Sequence, residues 1–166
     1  SNDLEPYALK APAGGLLLLY FGYTNCPDFC PTTMSDLKLA MRRLDEDSDV
    51  DTSKIDVAMV TIDPERDFVD DPDRCDDGIV LGCYVRSFIA DAHALGTDDP
   101  GLLDRAAAPL GASYTVTKNG DAVEVSHTTS VFVLDDTGTL RLTWPFGTAI
   151  DDVASDIEQL MTEVQA

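Results

Sequence analysis

Apolar positions along the chain fall into two kinds of pattern, unbroken runs and stripes at helical spacing. Leu16 to Tyr23 reads LLLLYFGY after the turn signal Ala13-Gly14-Gly15, the pattern of a strand buried on both faces. Ile55 to Ile62 repeats that pattern and ends in Asp63-Pro64-Glu65-Arg66-Asp67. Between them, Met34, Leu37, Met41 and Leu44 share one helical face while Asp36, Lys38, Arg42 and Arg43 point elsewhere, which predicts a helix from near Pro31 to about Leu44. Pro27 and Pro31 cannot both sit inside a regular helix. The segment ahead of Pro31 therefore reads as a short irregular turn.

Two further helices are expected, from near Ile79 to Ala90 and from Asp99 to Ala108. Thr97-Asp98-Asp99-Pro100 introduces the second, and Pro109 stops it. Asn119-Gly120 joins Tyr114–Lys118 to Ala122–Val125 as a hairpin. A strand over Ser130–Leu134 turns through Asp135-Asp136-Thr137-Gly138 into Thr139–Trp144. The closing helix is expected from Thr148, with Asp151 completing an approximate capping box and Ile150, Val153, Ile157, Leu160, Met161 and Val164 on its buried stripe. The order β-α-β-α, an inserted hairpin, then β-β-α is the layout of a thioredoxin-like α/β domain, a central mixed sheet flanked by helices. Residues 16–166 form that domain, 1–15 lead into it without a recognisable strand in Leu4–Pro12, and an Asp-rich insertion lies near 68–83.

Length and a hydrophobic fraction of 44% suit one domain that folds without covalent staples. Charge changes the picture more. With 31 acidic against 11 basic residues and a formal net charge of -20, attraction to nucleic acid or anionic membrane is excluded, leaving neutral or basic partners and metal cations. The acidity is dispersed over surface-type positions, like the surface of a halophile's protein, so marginal stability at low salt is expected. No run reaches the roughly 20 apolar residues of a membrane span. Ser1-Asn2 reads as a cloning remnant, so that absence says nothing about an anchor or export signal in the native protein.

The candidate chemistry lies in Cys26-Pro27-Asp28-Phe29-Cys30, directly after the first strand. Thiols at this spacing suit a thiolate-loving metal or reversible disulfide chemistry. Cys30 at a helix N-terminus is expected to gain thiolate character from the macrodipole, against Asp28. Parallel strands would bring Asp63 and Asp67 to the same sheet edge, where they could support the thiol loop. Helix capping and a salt link to Arg66 are the plainer assignment. Cys75 and Cys83 are read as a disulfide closing a surface loop; free thiols or a second redox relay stay open.

Each of the two histidines can be weighed. His93 lies between helical elements and reads as solvated or packed. His127 precedes a core strand, where thioredoxin-type enzymes carry a cis-proline facing their cysteine pair; here Thr128-Thr129 follow instead. Two thiolates and an imidazole make a soft set of three that copper(I) accepts, whereas structural zinc would want a fourth protein ligand.

FGYTNCPDFCPTTMSDL, VTIDPERD, CYVRSF and VSHTTSVFVLDDTG, in that order over most of Leu16 to Met161, resemble the SCO/SenC family of copper-binding proteins with a thioredoxin-like fold. The resemblance implies a membrane-tethered domain on the extracytoplasmic face of the cell membrane. It implies copper bound as Cu(I) or Cu(II) by Cys26, Cys30 and His127, with Asp63 in support, and delivery to the dinuclear copper site of a haem-copper oxidase subunit. The dithiol could also keep the recipient's cysteines reduced. Against this stand a thiol-disulfide oxidoreductase using Cys26 and Cys30, and an inert domain in which those two form a structural disulfide.

Overall fold

A computed structural model describes residues 6–75, 78–120 and 122–165. Strand β1 (Leu16–Gly22) is its axis, paired in parallel with β2 (Ile55–Thr61) and antiparallel with β6 (Val131–Leu134). β2 pairs in parallel with the short β3 (His93–Leu95), and β6 antiparallel with β7 (Leu140–Trp144). The five-stranded mixed sheet thus runs β3-β2-β1-β6-β7, and β4 (Tyr114–Asn119) with β5 (Ala122–His127) makes a separate hairpin.

Alternation along β1 splits the core into two layers. Leu16, Leu18 and Tyr20 meet the helices α1 (Phe29–Asp47), α3 (Val80–Phe88) and α5 (Ile150–Val164). Leu17, Leu19 and Phe21 pack with Phe132, and with Leu103 and Ala107 of α4 (Pro100–Ala107). Leu16 to Tyr20 are all 0% exposed, and each buried leucine contributes roughly 1.5–3 kcal/mol. A strand covered on both faces can end at a sheet edge holding a site, and β1 does so.

The structure moves several sequence expectations. α1 starts at Phe29, two residues before Pro31, and runs to Asp47. Pro31 is its third residue, where an amide has no intrahelical acceptor to lose, and Ser48 closes the far end with its amide and hydroxyl on the Leu44 carbonyl. His93 lies between α3 and α4, as expected, but in a short strand, β3; three half-buried residues carry no periodic signal. Its Nε2 is 3.5 Å from Asp56 Oδ2 and its ring 5.0 Å from that of Tyr7, a packed imidazole. The helix before Pro109 ends at Ala107, and Ala108–Leu110 tighten into a 3-10 turn closed by Gly111 at φ 73°. α5 begins at Ile150 without a side-chain cap, because the Thr148 hydroxyl donates to Pro145 O at 2.8 Å and Asp151 pairs with Arg43.

After β2, the short helix α2 (Pro64–Asp67) leads into an irregular stretch that returns at α3. Cys75 and Cys83 are disulfide-bonded there, with Cα atoms 5.7 Å apart. Residues 6–15 form turns and no strand, held by the Ala11 amide on the Asp135 carbonyl at 3.0 Å.

Candidate metal centre

Three donors from distant parts of the chain converge at the carboxyl end of β1. Cys26 lies in the loop leaving β1, Cys30 in the first turn of α1, and His127 ends β5 just before β6 turns back along β1. Their ligand atoms all lie within 4.8 Å of one another. Cys30 Sγ is 3.9 Å from His127 Nε2, and the Cys30 amide donates to Cys26 Sγ at 3.4 Å. Both cysteines are free thiols. Thiolate and imidazole bonds of about 2.0–2.3 Å would put three donors around one small soft ion roughly 3.5–4.0 Å apart, so the set fits one ion with the Cys30–His127 pair already at that spacing and the remaining donors closing by no more than about an ångström.

The two thiols are unequal, in the opposite sense to the helix-terminus expectation for Cys30. Burial pushes Cys26 up, but the amides of Cys30, Asp28 and Phe29 and the Cys30 thiol act against it, and the net shift is downward. Cys30, fully buried on the inner face of α1, is pushed up to about 12 by that burial. A helix N-terminus lowers the pKa of the sulfur its free amides point at. Here that sulfur belongs to the preceding loop, and the residue within the helix faces the core.

His127 is oriented from behind. Its Nδ1 lies 2.9 Å from the Thr128 carbonyl oxygen, so Nδ1 carries the hydrogen and donates, leaving the Nε2 lone pair toward Cys30. Burial lowers its pKa, with the Thr128 and Phe21 carbonyls acting in the other direction, and the neutral imidazole that results is the ligating form. Tyr20 and Tyr23 stand edge-on to its ring at 6.0 and 5.8 Å. The Tyr20 hydroxyl donates to Cys30 Sγ at 3.6 Å.

Asp63 and Asp67 take different places. Asp63 is buried and its carboxylate pairs with Arg66, whose guanidinium lies 5.9 Å over the Tyr23 ring. Asp67, fully buried, reaches the thiol loop directly: it accepts from the Thr24 amide at 3.2 Å and from the hydroxyls of Thr24 at 2.5 Å and Thr61 at 2.6 Å. Cys75 and Cys83, being bonded to each other, are not among the donors at the centre.

Two neighbours escaped the sequence reading. Gly22 ends β1 under the centre, and a Cβ there would meet Tyr20 Cε1 at 2.7 Å and Cys30 Sγ at 3.0 Å. The glycine directly ahead of the thiol motif was the available signal. Tyr20 sits inside the LLLLYFGY run, where alternation predicts burial and nothing marks its hydroxyl as a partner of a thiol.

The fold and centre define a thioredoxin-like domain that gathers two cysteines and a histidine at the sheet's functional edge. The chain belongs to the SCO1/SenC family, whose profile matches residues 3–162. It is 30% identical over 141 residues to a protein of Stutzerimonas stutzeri described as a candidate copper-binding protein, covering 84% of this chain and 62% of that one. It is 41% identical over 68 residues to the mitochondrial SCO1 homolog 1 of Arabidopsis thaliana, covering 41% of this chain and 20% of that protein. The matches thus span less than two-thirds of either relative. Apo Sco1 of Thermus thermophilus aligns with a TM-score of 0.69 at 31% identity, covering 88% of this chain and 79% of that one. Arabidopsis ScoI, solved with copper bound, aligns with a TM-score of 0.74 at 22% identity over 90% and 86% of the two chains, and shares the fold.

Proposed function

We propose that this domain binds copper through Cys26, Cys30 and His127 and passes it to the copper-site subunit of a haem-copper oxidase during assembly. The observation that carries this reading is the convergence of the three donor atoms within 4.8 Å with the Nε2 lone pair facing Cys30 Sγ. Sulfur and imidazole donors without a carboxylate favour a soft ion. Copper is cargo here: a three-donor set half open to solvent at His127 leaves room for an incoming thiol or imidazole of the recipient to replace one ligand at a time. Family membership supports the oxidase as client, and a tether on the extracytoplasmic face belongs to the same reading.

Loading the reduced protein with Cu(I) at high salt tests it. A single equivalent should bind, with affinity falling sharply in Cys26→Ala, Cys30→Ala and His127→Ala. Unchanged affinity in His127→Ala would overturn the three-donor site. Failure of the loaded protein to transfer copper to a soluble copper-site domain of the oxidase subunit would overturn delivery.

The inequality of the thiols favours a second reading, a thiol-disulfide reductase. Cys26 as thiolate would attack a substrate disulfide and release one thiol. Cys30, giving up its proton, would then displace the second and leave Cys26–Cys30 oxidised. Turnover of a disulfide substrate without copper, lost in Cys26→Ser, distinguishes this activity.

A further inference from the structure

Arg74 belongs to no strand or helix, yet its Nη2 reaches across 50 residues of sequence to donate to Thr24 Oγ1 at 2.9 Å. A guanidinium only donates, so the Thr24 hydroxyl spends its lone pair on Arg74 and directs its own proton to Asp67 Oδ1 at 2.5 Å. Asp67 is 0% exposed and also takes the Thr24 amide on both oxygens at 3.2 Å. Hydrogen bonds aligned donor to acceptor in this way strengthen one another. Thr24 lies two residues before Cys26, just past the last backbone bond that ties β1 to the end of β2, Ile62 N to Gly22 O at 3.0 Å. The Arg74-Thr24-Asp67 chain takes over where the sheet stops holding the loop.

Arg74 in turn is held by its neighbour. The amides of Arg74 and Cys75 both donate to the Asp71 carbonyl, at 3.0 and 2.8 Å, and Cys75 is bonded to Cys83 on α3. The disulfide is the covalent tie between this irregular segment and the helical layer.

We propose that Arg74 is a positioning residue for the metal centre and that the Cys75–Cys83 disulfide acts on the centre through it, by holding the guanidinium on Thr24 and so fixing the loop that carries Cys26. The inference rests on the copper-site reading above. Donors that need no more than about an ångström of closure are sensitive to a loop that drifts by a comparable distance, and loss of supporting contacts around a metal ligand typically costs 10–100-fold in affinity. Arg74 makes its contact at an exposed position, so its loss bears on the loop more than on the fold.

The test is a double-mutant cycle on Arg74→Ala, Cys75→Ser with Cys83→Ser, and all three together. It is read by Cu(I) competition with a chromophoric chelator and, on the copper-free protein, by amide hydrogen exchange over residues 24–30. Arg74→Ala and the cysteine pair should each weaken Cu(I) binding roughly tenfold and speed exchange at Thr24 and Cys26. The combined variant should be no worse than either alone, and Arg74→Lys, which keeps a donor on a long stem, should recover part of the loss. Wild-type behaviour of Arg74→Ala in both readouts would overturn the proposal, as would losses that multiply in the combined variant. If the wild type bound no copper, the copper reading would fall, while exchange in Arg74→Ala would still decide whether the segment holds the loop. That single variant keeps the disulfide and serves if the serine pair does not fold.

Discussion

Cys30 Sγ stands 3.9 Å from His127 Nε2 although 97 residues separate the two in sequence. The approach follows from the antiparallel pairing of β6 with β1, which brings the end of β5 back over the start of α1. The Thr128 carbonyl on the opposite ring nitrogen fixes which lone pair faces the sulfur. In the copper-free protein, nitrogen NMR of His127 should show the Nδ1–H tautomer at neutral pH. Addition of Cu(I) should shift the Nε2 resonance and leave Nδ1 protonated. An Nε2–H tautomer in the copper-free protein would contradict the geometry.

Gly22 lies directly under the centre, with no room for a side chain. Gly22→Ala would drive a Cβ to 3.0 Å from Cys30 Sγ and from Met59 Cε, an overpacking expected to cost about 1–3 kcal/mol. The displaced sulfur should also weaken Cu(I) binding. Denaturant unfolding and the copper competition assay read the two effects, and a neutral outcome in both would show that Cys30 yields freely.

Asp135 anchors the turn between β6 and β7. Its carboxylate accepts from the amides of Thr137 at 2.9 Å and Thr139 at 3.0 Å and from the Thr137 hydroxyl at 2.6 Å, with Arg141 at 3.4 Å. Burial works against the charge, but these donors win and its pKa lies below the ordinary carboxylate value. A depressed pKa stabilises the fold above the unfolded-state value near 4, and that contribution is lost as pH falls through the folded-state value. Asp135→Asn should therefore cost roughly 1–3 kcal/mol at pH 7. The difference from wild type should shrink as the pH is taken below about 4, read as Tm against pH. A gap that stayed constant into acid would assign the effect to shape alone.

A net charge of -20 on 166 residues leaves most carboxylates without a cationic partner. Raising KCl from about 0.1 to 1 M shortens the screening length from roughly 10 to 3 Å, so like-charge repulsion weakens more than the few exposed ion pairs. Tm should rise by several degrees over that range. A falling Tm would mean that the ion pairs, such as Arg42–Glu46 and Arg141–Glu163, outweigh the repulsion.

Strands and buried stripes were legible because each rests on local periodicity. β1 differs from the LLLLYFGY reading by one residue at its end, and in the α5 stripe Val153, Ile157, Leu160 and Met161 are buried while Ile150 and Val164, at the helix ends, are half-buried. Features depending on a partner far away were not. β3 exists because β2 offers its edge to His93–Leu95, and α1 starts before Pro31 because a helix's first amides have nothing to lose. Asp63 and Asp67 look alike in DPERD; only the fold sends one to Arg66 and the other to Thr24.

The layered α/β domain, the acidic surface, and a dithiol at the end of a buried strand with a histidine ahead of a core strand are all written into the order of residues. Composition and short-range spacing carry all of these. Tertiary packing set which sulfur gives up its proton more readily, because burial on the inner face of α1 and amides aimed at the preceding loop act on Cys30 and Cys26 in opposite directions. It also decided the separation of the imidazole from the thiols and the course of the Arg74-Thr24-Asp67 chain beside them. Those depend on distances between segments that the chain's order leaves free and packing fixes.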